Sequence, residues 1–84
     1  MKIISYNLNG IRSASSKGVV GWLNENLFDI VCLQETRANL EQINACVQSL
    51  SGYDFYFNVA ERKGYSGTGI LTKIKPINVS YTFP

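Results

Sequence analysis

Histidine is absent from this 84-residue chain, which removes the commonest general base and the commonest transition-metal ligand. Cysteine is scarce as well. Cys32 and Cys46 each lie inside an apolar periodic stretch, not in a loop, and read as buried free thiols in a reducing, cytoplasmic setting. Charge of either sign is thin: eight basic against six acidic residues leave +2, too small a lean to name an anionic partner by itself. No apolar run approaches membrane-spanning length, and the opening Met1–Tyr6 is too short in apolar residues for a signal peptide, so no membrane partner is expected. Asn78-Val79-Ser80 matches a glycosylation sequon, which without a secretory signal is a chance match. What remains, with 45% hydrophobic residues, is a globular composition in a length that allows one domain.

The pattern along the chain is α/β. Lys2–Leu8 reads as a strand closed by the turn dipeptide Asn9-Gly10. Val19, Val20, Leu23 and Leu27 recur at helical spacing, with Ser15 or Ser16 as expected N-caps and Gly18 and Gly21 as weakeners. Phe28–Glu35 is an almost continuous apolar run of strand length, the pattern of a strand buried on both faces. A second helix is expected over about Leu40–Leu50, its start marked by Asn39 with Gln42 three residues on. Tyr53–Val59, Thr68–Lys73 and Asn78–Phe83 read as further strands. Strand, helix, strand implies a parallel pair with a right-handed crossover. The chain still reads as strand at Phe83-Pro84, so the expectation is the N-terminal portion, 1–84, of a larger single domain.

Parallel neighbours share an edge at their carboxyl ends, where ligands of open α/β sheets bind. The polar residues at that edge are Asn7, Asn9 and Glu35. Glu35 closes an otherwise apolar strand, which is either where the strand meets water or a carboxylate kept for a hard cation. Magnesium suits the second reading, since it uses one or two carboxylates and keeps several waters. Asn7 and Asn9 equally suit ordinary turn chemistry beside Gly10. Arg12, Lys17, Arg37, Arg62 and Lys63 follow or precede these strands, either as scattered solvated charges or as phosphate contacts. Gly64-Tyr65-Ser66-Gly67-Thr68-Gly69 leads into a strand and not a helix, which argues against a phosphate-cradling P-loop. Tyr65 beside two cations suits a nucleic-acid contact, though hairpin loops look similar.

Three segments carry a resemblance. Lys2–Arg12 resembles the opening strand of the exonuclease III and apurinic endonuclease family. Asp29–Arg37 is similar to its metal-binding strand, and Gly64–Leu71 to its DNA-facing glycine-tyrosine-serine-glycine loop. The order and spacing match across essentially the whole chain. The resemblance implies a four-layer α/β sandwich, two packed mixed sheets flanked by helices. It implies magnesium- or manganese-dependent hydrolysis of double-stranded DNA at abasic sites or 3′ ends, by a cytoplasmic monomer. On the family's pattern Asn7 and Glu35 are catalytic and metal-site positions, with Glu35 the direct ligand. Arg12, Lys17 and Tyr65 match positions that approach DNA; Arg37, Arg62 and Lys63, by their place beside the same edge, are further DNA-binding candidates, and Asn9 is a candidate just outside the metal. Two departures stand out: many relatives carry aspartate in place of Asn9, and lysine in place of Arg37.

The family's later residues, an aspartate-asparagine pair for the attacking water and an aspartate-histidine pair, find no match in these 84 residues. The chain alone is therefore expected to be inactive. The rival expectations are a same-fold phosphodiesterase acting on phospholipid, inositol phosphate or RNA, and a non-catalytic DNA-binding truncation.

Overall fold

A computed structural model describes residues 1–59 and 66–81 of the chain. The elements run β1 (Ile3–Asn7), α1 (Ile11–Ser16), α2 (Val19–Asn26), β2 (Ile30–Gln34), α3 (Leu40–Val47), β3 (Asp54–Asn58) and β4 (Thr68–Thr72). They build one mixed sheet in the order β1-β2-β4-β3. β1 and β2 are parallel, with Ile3 opposite Ile30 and Asn7 opposite Gln34, as the strand-helix-strand order requires. β4 inserts antiparallel between β2 and β3, with Thr68 opposite both Gln34 and Asn58. The carboxyl ends of β1, β2 and β3 and the start of β4 therefore lie along one edge.

Alternation along the strands sorts the sheet into two faces. Val31, Leu33 and Leu71 point to the buried side, where they pack with Ile11, Ala14, Leu23, Ile43 and Val47 from the helices. Val31, Ile43 and Leu71 are wholly inaccessible. Burial on that scale contributes about 1.5–3 kcal/mol for each large aliphatic side chain. Tyr53 closes the core, its hydroxyl donating to the Phe28 carbonyl at 2.6 Å. Burial first, and the Asp29 carboxylate second, push its pKa above the ordinary tyrosine value. The other face carries Ile3, Ser5, Ile30, Cys32, Tyr56 and Ile70, all exposed or half-buried.

α3 begins where expected and for the expected reason. Asn39 accepts from the Gln42 backbone N–H at 2.8 Å, and Gln42 accepts from the Asn39 N–H at 3.1 Å, a reciprocal capping box. Other expectations need correction. Ser15 and Ser16 do not cap α2. They belong to α1, a short helix that no helical spacing in the sequence signals, and α2 starts from Gly18 in a left-handed conformation. β2 is not buried on both faces, because Ile30, Cys32 and Gln34 are only half-covered. Both cysteines are free, but half-buried and not buried. Residues 78–81 form no strand, and 82–84 lie outside the described residues. No helix among the described residues is long and apolar enough to cross a membrane.

Candidate functional site

Asn7 ends β1, and Glu35 follows β2 directly. Strict alternation would send Glu35 to the helical side with Leu33, away from Asn7, which shares the open side with Ser5 and Gln34. A break in register prevents this. The β2–β4 ladder pairs Gln34 with Thr68, but the next bonds run from Thr36 N–H to the Gly67 carbonyl at 3.2 Å and from Arg37 N–H to the Ser66 carbonyl at 2.8 Å. Those two bonds are displaced by one residue from the ladder, so β2 holds an extra residue at Glu35. This is a β-bulge, a device that re-aims a side chain near a site. Glu35 has φ 53°, the left-handed conformation that one type of bulge places at its extra residue. The cost for a non-glycine residue is roughly 1–2 kcal/mol.

The loops are tied together at this edge. The Leu8, Gly10 and Ile11 N–H groups donate to the Gln34, Glu35 and Thr36 carbonyls at 2.9, 2.8 and 2.9 Å. Asn9 (φ 50°), Arg37 (φ 50°) and Ser66 (φ 38°) share the left-handed region. Four non-glycine residues in that region within one cluster exceed what turns alone call for, and such concentrations occur at functional sites.

Glu35 is held by both oxygens. Asn7 Nδ2 donates to Oε2, and Arg37 Nη2 donates to Oε1 in an ion pair. The Asn7 side-chain oxygen accepts from the Asn9 N–H at 2.9 Å. That bond fixes the amide's orientation, because a flip would set an amide N–H against the Asn9 N–H and an oxygen against the carboxylate. Asn7 therefore presents its nitrogen to Glu35. Its hydrogen bond, and after it the nearby Arg37 charge and hydrogen bond, lower the Glu35 pKa below the ordinary glutamate value against a partly opposing desolvation. The pair is solvent-exposed, so it orients the carboxylate more than it stabilises the fold.

The donor set suits a hard cation: an ionised carboxylate whose oxygens each keep lone pairs, at an exposed edge. It is one carboxylate only, and the described residues hold no group of three metal-ligating side chains. Lys17 caps α1 and lines a cleft of about 540 Å³ with Tyr6, Asn7, Asn9 and Trp22, so one cation opens onto the side of the site. Arg12 is exposed in the first turn of α1. Arg37 is brought to Glu35 itself, while Arg62, Lys63 and Tyr65 lie outside the described residues. Two residues at this edge carry no individual role in the sequence analysis, Thr36 and Gly67. Thr36 is fully buried, and its hydroxyl has no hydrogen-bond partner among the described residues. Such a group costs about 1–3 kcal/mol. Nothing in a single sequence marks it.

With this geometry in view, comparison with known proteins is specific. The sequence profile of the endonuclease/exonuclease/phosphatase family matches residues 4–84. A DNA-(apurinic or apyrimidinic site) endonuclease of Dictyostelium discoideum is 42% identical over 81 residues, covering 96% of this chain and 22% of the relative. An exodeoxyribonuclease of Bacillus subtilis is 40% identical over 82 residues, covering 96% of this chain and 31% of its own length. Among solved structures, an AP endonuclease from Archaeoglobus fulgidus superimposes with a TM-score of 0.79 at 36% identity, over 95% of this chain and 30% of that one. The chain thus spans between about a fifth and a third of the length of the proteins it matches.

Proposed function

The chain belongs to the endonuclease/exonuclease/phosphatase family, and we propose that the protein carrying it is a metal-dependent DNA phosphodiesterase of the exonuclease III and apurinic endonuclease type. Its substrate is double-stranded DNA with abasic sites or 3′ ends, its metal magnesium or manganese, and it acts as a cytoplasmic monomer. The observation that carries the reading is the bulge that turns Glu35 back to Asn7 at the carboxyl edge of a parallel strand pair. Relatives named for cleaving DNA align across this edge.

Each residue has a task under this reading. Glu35 is the metal ligand, kept ionised by Asn7 and Arg37. Asn7 holds the carboxylate in place through its amide nitrogen, and the Asn9 N–H locks that amide. A bound divalent cation would supply charge stabilisation at the scissile phosphate. Arg12, Lys17, Arg62 and Lys63 supply positive charge for the DNA backbone, and Tyr65 a face for nucleotide contact. Arg37 divides between phosphate and Glu35, and its planar fork suits both.

The test is a pair of substitutions in the full-length protein. Glu35→Gln removes the charge at nearly constant shape, and kcat on an abasic duplex should fall on the order of 10²-fold or more, with little change in DNA affinity. Tyr65→Ala should do the reverse, weakening binding by roughly 1–3 kcal/mol with turnover of bound DNA retained. Near-normal turnover of Glu35→Gln across a magnesium titration would sink the metal assignment. The 84 residues alone, with one carboxylate at the site and no histidine, should leave an abasic strand uncut even at enzyme excess with magnesium.

A further inference from the structure

Thr36 and Gly67 meet behind the bulge. A Cβ built on Gly67 would overlap the Thr36 hydroxyl oxygen and come within 3.6 Å of both Thr36 Cβ and the Asn58 carbonyl oxygen, and Gly67 has φ 96°. Only glycine fits that conformation and that space without strain. The Thr36 N–H donates to the Gly67 carbonyl, and the Thr36 carbonyl accepts from Ile11. Thr36 is thus pinned by backbone bonds to the start of β4 on one side and to α1 on the other, and its side chain fills the gap left by the missing Cβ. Both bonds hold the residue that directly follows Glu35, whose left-handed conformation aims the carboxylate.

We propose that Thr36 and Gly67 are positioning residues for Glu35. Their contact holds the out-of-register bonds that make the bulge, and so sets where the carboxylate points without touching it. Thr36 acts by shape, since its hydroxyl makes no hydrogen bond among the described residues. This rests on the reading of Glu35 as a metal ligand.

The test uses the full-length protein, with direct binding of Mn²⁺ alone, followed by its paramagnetic resonance, beside turnover of an abasic duplex, duplex affinity and thermal stability. Gly67→Ala forces the new methyl against Thr36. It should weaken Mn²⁺ binding about tenfold and lower kcat similarly, with duplex affinity within about twofold. Adding Thr36→Ala to that variant removes the obstructing hydroxyl and should restore part of the Mn²⁺ affinity, a coupling expected of residues in contact and not of distant, independent ones. Thr36→Ser, which keeps the oxygen, should stay near the parent. A merely structural role would lower the melting temperature and leave the Mn²⁺ midpoint of the folded fraction unmoved. Should Gly67→Ala not accumulate folded, Thr36→Ala alone loosens the same contact and carries the test by the same readouts. An unchanged Mn²⁺ midpoint in the folded variants overturns the proposal. Glu35→Gln, run beside them, separates the two failures. If it also leaves Mn²⁺ binding intact, the metal reading has failed. If it abolishes binding while the positioning variants do not weaken it, only the positioning proposal has.

Discussion

A carboxylate is useful to a cation only while ionised and only where it points. Asn7 serves both needs, so its removal should be visible in the titration of Glu35 itself. With Asn7 in place the Glu35 pKa lies below the ordinary value, chiefly through the Asn7 hydrogen bond. The sign follows. A folded-state pKa depressed below the unfolded one gives a stabilisation present above the unfolded pKa and lost as pH falls through the folded pKa. Asn7→Ala should therefore raise the Glu35 pKa toward the ordinary glutamate range, and a ¹³C-labelled carboxyl titration reads it directly. Arg37→Ala should raise it as well, because the Arg37 charge and its hydrogen bond both lower it. An unmoved titration in Asn7→Ala would show that the amide does not govern the charge. The position of Glu35 was legible beforehand as one acidic residue closing an apolar strand. Its conformation was not, because a left-handed glutamate is held by a bond from Gly10 to its carbonyl and by the bond of the next residue, Thr36, to Gly67, both distant in sequence.

At the scale of the element, local signals worked where local chemistry decides. The capping box of α3 joins two side chains three residues apart, so the sequence contains both halves of it. Asn39→Ala breaks its stronger arm and should lower the stability of the full-length protein by about 1 kcal/mol, within the range for losing a good N-cap. Gln42→Ala removes only the return bond and should cost less. Urea unfolding midpoints for the two, against the parent, would rank them, and equal midpoints for Asn39→Ala and the parent would dismiss the cap. Local signals failed where packing decides. α1 is six residues, Ile11–Ser16, with three serines and no helical stripe. Its helicity comes from Ile11 and Ala14 entering the common core, where α1 meets α3. Tertiary burial overrides a weak propensity in so short a helix. The strand expected over Asn78–Phe83 misled in the opposite direction: among its described residues Val79 and Tyr81 alternate like a strand yet are exposed and pair in no ladder.

For the molecule as a whole, the decisive contrast lies between the two faces of one sheet. The helical face buries Val31, Leu33 and Leu71 almost completely, while on the other Ile3 remains 58% exposed and Ile70 44%. Ile30, Cys32 and Tyr56 extend that open face at half burial. β1 and β3 also pair on one side only among the described residues, so they form the two edges of the sheet. An apolar face bordered by open edges is the arrangement that natural proteins normally cover or charge. The 84-residue polypeptide studied alone should therefore self-associate, its sedimentation coefficient rising with concentration over the micromolar range. Ile70→Lys places a charge at the centre of the open face, opposite Cys32 and Tyr56 in the register, and away from the core. It should reduce that association and leave the far-ultraviolet circular dichroism unchanged. Leu71→Lys, one residue along, enters the helical core instead and should unfold the chain, because a buried unpaired charge is far costlier than an exposed one. A dilute monomer with one sharp melt, equally monomeric at high concentration, would show that the open face needs no partner.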